Sequence, residues 1–426
     1  MSNHLRESDP PPGEDPPAAS DWPGLGDLIA LTTERLSAPV EGMHRAIADR
    51  WFGMAGPHAE PVRRGYHTIT GGIYGSVRMV GSALGAAVQI GAQVASRRTG
   101  ARPLSRSFPG SGVQAVANAV WGDELERRGS DLRIELGLRD GSGRPIGSDS
   151  DALARAFPAA SGRLVVLVHG LGETERCWQQ AADETGTVMG LGDILSSLSF
   201  TPLLVRYNTG RHVSDNGREL AILLEGTVAN WPVPVEEIAL VGNSMGGLVV
   251  RSSIDAGQTD HHRWVAATRH LITVGAPHFG APLEKGVNLL SRGLRIVGES
   301  RPIGEFLDQR SAGIKDLRFG AIRENDWRGI DPTALFDGIV ADFPLPEHVQ
   351  QHFVAGVVTE EPTHPIGVLV GDLIVRTSSG IGRGRHRNIE ATDVRIIGKR
   401  RHSDLAGDPT VHQQVRDWLS TGSEAG

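Results

Sequence analysis

The 426-residue sequence holds a single cysteine, Cys177, which excludes an intramolecular disulfide framework and any cysteine-based metal cluster. Lysine is nearly missing too, occurring only at Lys285, Lys315 and Lys399; arginine supplies the other positive charges, which reads as coding bias and not chemistry. Aromatic residues make up 5% of the chain, and a net charge of −7 gives no global drive toward nucleic acid or anionic membranes. There is no GxxxxGK(S/T) phosphate loop, no HExxH and no GxGxxG after a strand, so nucleotide, zinc-protease and dinucleotide chemistries lose their main support. No nucleic-acid-binding motif is present, and nothing requires a metal or organic cofactor. What is there is an ordinary globular composition, 39% hydrophobic, with 55 glycines that imply many tight turns and close helix contacts.

Residues 1–24 carry six prolines among acidic and small residues and are expected to be a disordered tail, because they cannot bury enough apolar surface to offset their ordering entropy. The tail lacks a basic segment followed by an apolar core, so it is not read as a secretory signal, and the cytoplasm is the default location. Residues 25–129 read as a helical region. Leu28, Leu31 and Leu36 recur at helical spacing, Pro39 interrupts, and Val40, Met43, Ile47 and Trp51 resume it. The most regular stripe is Ile73, Val77, Val80, Leu84, Ala87, Gly91 and Val94; residues 79–96 carry no charge, and Gly81 to Gly85 form a GxxxG. This stripe is expected to pack against other helices of the chain. The alternative is peripheral contact of residues 73–96 with a membrane or lipid surface.

The period then changes. Leu132, Ile134, Leu136 and Leu138 alternate with polar or small residues and predict a strand entering a hairpin. Apolar runs follow at 164–168, 203–205, 238–241, 271–274, 353–358 and 394–397, separated by helix-length stretches, the pattern of a mostly parallel sheet covered on both faces. One catalytic domain, 130–426, is therefore expected, with a helical insertion at about 282–346 serving as a cap or lid, or simply covering the sheet.

Gly242-Asn243-Ser244-Met245-Gly246 matches GxSxG, where a serine sits on a strand-to-helix turn so crowded that its neighbours two residues away must be very small, here Gly242 and Gly246. The pattern alone is weak. The apolar run 238–241 before it and helix-compatible residues after it supply the needed context. A nucleophilic serine needs donors for the developing oxyanion, and in such a turn one is the following amide, that of Met245. A second is expected from the loop His169-Gly170-Leu171-Gly172 after the run 164–168, with Leu171 the candidate; His169 is read as an oriented loop residue.

The HGLG loop, the GNSMGG turn and the later Gly275-Ala276-Pro277-His278-Phe279-Gly280 resemble the lipase-like branch of the α/β-hydrolase superfamily, including bacterial triacylglycerol lipases and inositol-deacylase-like esterases. The resemblance covers roughly residues 130–420 and implies an α/β-hydrolase fold with a triad in the order serine, acid, histidine. His402 in Arg401-His402-Ser403-Asp404-Leu405 is similar to the family's His-x-x-Leu element; His386 and His412 are less well placed. Gly371-Asp372-Leu373-Ile374-Val375 resembles the family's Gly-Asp-Gly-Val-Val, with Leu373 in place of the second glycine, and makes Asp372 the candidate acid, with Glu360 its rival. The expected function is a serine esterase acting on a small-molecule or lipid ester with an apolar acyl group. The alternatives are an acyltransferase or thioesterase on the same triad, or a lipid-surface or partner-binding protein with an accessory hydrolase domain. Arginines 383, 385, 387, 395, 400 and 401 near the acid and base are read as a solvated rim.

Overall fold

The computed structural model describes residues 21–55, 60–99, 103–179, 189–281, 311–328, 344–364, 371–384 and 388–421. Residues 1–20 of the expected tail, most of the expected cap, and Arg385, His386 and Arg387 lie outside them. Residues 21–24, expected to be disordered, are instead held in place, since the buried Asp21 carboxylate accepts the amides of Leu104 and Ser105 at 2.5 and 2.7 Å and Gly24 begins the first helix. Two long antiparallel helices open the chain, α1 (Gly24–Ala55) and α2 (Glu60–Thr99), followed by α3 (Phe108–Arg127). Pro39 does not end α1, which runs through it. The missing amide hydrogen bond is local, and the helix on either side is held by its packing on α2.

An eight-stranded sheet follows: β1 (Gly137–Arg139), β2 (Pro145–Ile146), β3 (Arg163–Val168), β4 (Phe200–Arg206), β5 (Glu237–Asn243), β6 (Thr268–Val274), β7 (Gln350–Gly356) and β8 (Asp393–Ile397), in the order β2-β1-β4-β3-β5-β6-β7-β8. β1 is antiparallel to β2 and to β4, and every other pairing is parallel. Helices α4 (Ser150–Ala156), α5 (Leu191–Ser196), α6 (Val213–Ala229) and α7 (Met245–Thr259), with the terminal helix Pro409–Thr421, alternate with the strands. This is the α/β-hydrolase fold, and the six apolar runs are its six parallel strands. Two cores, one on each face, account for those continuous runs: Leu164, Val166 and Val168 point with α6 and α7 into one, and Val165 and Leu167 with the terminal helix into the other.

The alternation at 132–138 gives a shorter strand than expected, since only Gly137–Arg139 pairs. Leu132 and Ile134 are buried as an alternating pattern demands, but Leu132 packs with Leu31, Ala117 and Leu125 of α1 and α3. Side chains replace the missing strand partner there. Asn118 Nδ2 donates to the Leu132 carbonyl at 2.7 Å and its Oδ1 accepts the Ile134 amide at 3.0 Å, so one amide group does the work of a ladder rung.

The stripe of α2 departs most from expectation. The helix does pack on α1, but through its other side: Gly81 comes against Thr33, and Gly85 against Gly26 and Ala30, leaving no room for a β-carbon. Ile73, Val77, Val80, Leu84 and Val94 face away and are exposed. Backbone closeness at the GxxxG, together with polar pairs between the helices, decides the contact face, and the larger apolar residues are left outside.

Candidate active site

Ser244 stands between β5 and α7 with φ 50° and ψ −119°, a left-handed backbone that a non-glycine residue adopts only when its surroundings impose it. The surroundings are glycines. A β-carbon on Gly242 would press on the carbonyl of Gly246, and one on Gly246 on the carbonyl of Val168, so the GxSxG spacing is a steric requirement of this turn. The Ser244 amide donates to Val274 at 2.7 Å, locking the turn onto β6.

His402 and Asp372 reach Ser244 from two later loops. His402 Nε2 lies 2.7 Å from Ser244 Oγ, and its Nδ1 lies 2.8 Å from Asp372 Oδ2. Because a carboxylate can only accept, Nδ1 carries the proton and Nε2 is left free to accept the serine hydroxyl. Asp372 is 2% exposed, and its Oδ1 accepts the amides of Ile374 at 3.0 Å and Val375 at 2.8 Å, so neither oxygen is idle. The His402 amide donates to the Asp372 carbonyl at 3.1 Å, tying acid and base loops together. Glu360 is turned elsewhere, exposed and 2.7 Å from Lys399 Nζ.

The departure at Leu373 has a visible consequence. Its φ is 81°, so the conformation that suits glycine persists with leucine in it, stabilised against its strain by the two amides on Asp372.

The HGLG loop faces the same turn. The Gly170 amide donates to Glu173 Oε2 at 2.9 Å and the Gly172 amide to Thr209 Oγ1 at 3.2 Å, so both neighbours of Leu171 are already engaged. Asn243 Nδ2 also donates to Glu173 Oε2 at 2.8 Å, which joins this loop to the residue before Ser244. Met245 is the first residue of α7 and is fully buried; its amide is among the four at a helix start that have no intrahelical acceptor. Sequence reasoning missed Glu173 and Asn243. The available signal was the proximity of Glu173 to Gly170, three residues apart in a tight turn.

His169 is buried, with Nδ1 donating to the Gly170 carbonyl at 2.9 Å, and it stacks on Tyr207. Burial holds its pKa below the usual value and keeps it neutral, in keeping with an oriented loop residue. His412 is buried against the Ala406 carbonyl, away from the serine. His278 is fixed between Thr273 Oγ1 at 3.0 Å and Arg251 Nη1 at 3.2 Å, and burial pushes its pKa down. The Cys177 thiol is driven well above its ordinary pKa, first by desolvation and then by Glu173, so it is no rival nucleophile at neutral pH. Of the described rim arginines, Arg383, Arg395 and Arg401 are exposed and Arg400 pairs with Asp408. The described part of the insertion packs on α3 and on α6: Ser311 Oγ donates to the Ala119 carbonyl at 2.6 Å, and Asp316 accepts the Val213 amide at 2.8 Å. Among the described residues no group of three or more histidine, cysteine or acidic side chains could hold a metal ion.

A protein class thus emerges from fold and site together: an α/β hydrolase with a serine–histidine–aspartate hydrogen-bond relay at the carboxyl ends of its strands. Residues 159–300 match a family model described as "Putative serine esterase (DUF676)". Among solved structures the chain is similar to the mature lipase BlEst2 of Bacillus licheniformis, at 18% identity over 67% of this chain and 97% of that one, with a TM-score of 0.40. It is also similar to the Staphylococcus hyicus lipase (13% identity, 62% and 95% covered, TM-score 0.33) and to an esterase of Pyrococcus furiosus (12%, 61% and 82%, TM-score 0.33). No curated protein sequence matches the chain.

Proposed function

We propose that this protein is a serine esterase that cleaves carboxylic esters with an apolar acyl group through an acyl-enzyme on Ser244. The observation that carries the reading is the unbroken relay Ser244 Oγ–His402 Nε2 and His402 Nδ1–Asp372 Oδ2, at 2.7 and 2.8 Å, assembled from three separate loops. The match of residues 159–300 to a serine esterase model supports the ester-hydrolase class.

In this reading His402 takes the Ser244 proton as Oγ attacks the ester carbonyl, and Asp372 holds the resulting imidazolium. The amides of Leu171 and Met245 receive the negative oxygen; that of Leu171 is the one left over between two engaged neighbours. Collapse of the tetrahedral intermediate breaks the C–O bond, and His402 returns its proton to the departing alkoxide. Water then repeats the cycle on the acyl-enzyme: His402 removes its proton, the hydroxyl oxygen bonds to the acyl carbon, and Ser244 leaves with the proton restored. No residue of this sequence needs a metal to complete it.

Labelling with an alkyl fluorophosphonate followed by peptide mass spectrometry tests the proposal. The expected adduct is on Ser244, with hydrolysis of chromogenic esters abolished in step with labelling. Folded protein that hydrolyses esters while Ser244 stays unmodified would sink it.

A further inference from the structure

Helix α2 is built inside out. Three of its polar side chains face α1 and pair there: Arg78 Nη1 with Glu41 at 2.5 Å, Tyr74 Oη with His44 at 2.6 Å, and His67 Nε2 with Asp49 at 2.7 Å. Its large apolar side chains face away. Val62, Ile69, Ile73, Val80 and Leu84 follow one another at steps of seven and four, which keeps them in a single row, and Ile69 and Val80 are 66% and 65% exposed. With the exposed Val94 the row extends about 48 Å along the helix axis. Between Arg64 and Arg97 the sole charged residue of α2 is Arg78, and that one is engaged with Glu41. In water such a face is a standing cost, and a continuous apolar patch of this extent marks a surface meant to be covered.

From these observations we infer that the outward face of α2 docks on a lipid surface carrying anionic headgroups, with the hairpin lying in the interface and not crossing it. Three features select lipid over a protein partner. First, a helix seam that pairs with another helix is normally flanked by charges that set partner and register, and the row on α2 has none between residues 65 and 96 apart from the engaged Arg78. Second, residues 24–99 hold eight arginines against five carboxylates, a net charge of +3 in a chain whose total is −7, so the hairpin is the part complementary to anionic lipid. Third, α1 is tied to α3 and through it to the hydrolase domain: Glu34 to Arg128 at 2.8 Å, Arg35 to Glu124 at 3.8 Å, Leu31 inside a core with Ala117, Leu125 and Leu132, and α3 in turn through Asn208 Nδ2, which donates to the Gly122 carbonyl at 2.9 Å. The helix Glu60–Ser96 is long and apolar enough to cross a membrane, but a hairpin with one flank fixed to a polar domain has lipid on one side only.

Flotation of full-length protein with vesicles of phosphatidylcholine and phosphatidylglycerol in equal parts tests this, alongside the triple variant Ile69→Asp, Val80→Asp, Leu84→Asp. The wild type is expected to float with the vesicles, and Ser244→Ala to float equally well, since docking does not use the serine. The triple variant is expected to lose on the order of tenfold or more of the floated fraction while keeping its circular dichroism spectrum and melting temperature. Wild-type protein that stays at the bottom, or a triple variant that floats as well as wild type, overturns the inference. So does a dimer in analytical ultracentrifugation that the triple substitution dissolves while neither form floats, because the face would then belong to a second copy.

Discussion

Two stretches of this chain carry comparable apolar patterns and end in opposite environments. The run Leu164–Val168 in β3 is wholly buried, covered by one core on each side of the sheet. The stripe from Ile73 to Val94 in α2 is as regular, yet its members face outward. Periodicity reports which residues share a face and says nothing of what covers it. In β3 the cover is dictated by topology, because a central parallel strand has helices on both sides by construction. In α2 it is decided by a competition between faces, and the side with Gly81, Gly85 and the residues that pair with Glu41, His44 and Asp49 wins the neighbouring helix.

The sharpest way to test the hydrolase half is at the acid. Asp372→Asn leaves the shape of the site intact but lets the imidazole take the wrong tautomer, and should lower kcat for ester hydrolysis by about four orders of magnitude. Glu360→Gln, removing only an exposed pair with Lys399, should leave kcat within about twofold. Equal losses in the two variants would show that the relay seen at Asp372 is not the one used in turnover.

A matched pair of substitutions tests the contrast itself. Val166→Asp puts an unpaired carboxylate among fully buried neighbours and should cost at least about 4 kcal/mol, enough to unfold the domain in many backgrounds. Val80→Asp, on the outward row of α2, should change stability by no more than about 0.5 kcal/mol in solution. Urea denaturation of both variants measures it, and a comparable loss at residue 80 would mean that its face is covered within the protein after all.

Much of the hydrolase half was legible because its rules are local. Six apolar runs bounded by turns became six parallel strands, and the glycines of GxSxG stand at a fixed spacing of two residues on either side of Ser244, although what crowds Gly246 is the distant carbonyl of Val168. Ser244, His402 and Asp372, singled out from the resemblance, lie within hydrogen-bond reach in that order, and Glu360 pairs with Lys399 instead. What was not legible depends on contacts distant in sequence. No pattern announces that Asn118 holds the segment at Leu132 and Ile134 in place of a strand, or that Glu173 fastens the HGLG loop to Asn243. Nor does any announce that Pro39 is carried inside a 32-residue helix by its neighbour. The orientation of α2 belongs to the same class, since a stripe and a GxxxG on one helix each promised a packing face and only one could have it.

The smallest effect concerns acid, at the end of the sheet away from the serine. His352 at the start of β7 lies between the ring of His270, 5.7 Å away, and that of Trp418, 4.7 Å away, and neither of its nitrogens has a hydrogen-bond partner among the described residues. Burial, reinforced by His270, pushes its pKa down to about 4, against an ordinary value near 6.5. Between those two values the unfolded chain binds a proton at this position that the folded chain refuses, so stability falls as pH drops from about 6.5 toward 4 and falls no further from this cause below it. His352→Phe keeps a flat ring against Trp418 and removes the titration. Its stability should therefore decline less than that of the wild type over this window, by urea denaturation at a series of pH values, while the two curves run parallel above pH 7. Parallel curves throughout would assign the acid sensitivity to other groups, among them His270 and His278, whose pKa values burial also lowers.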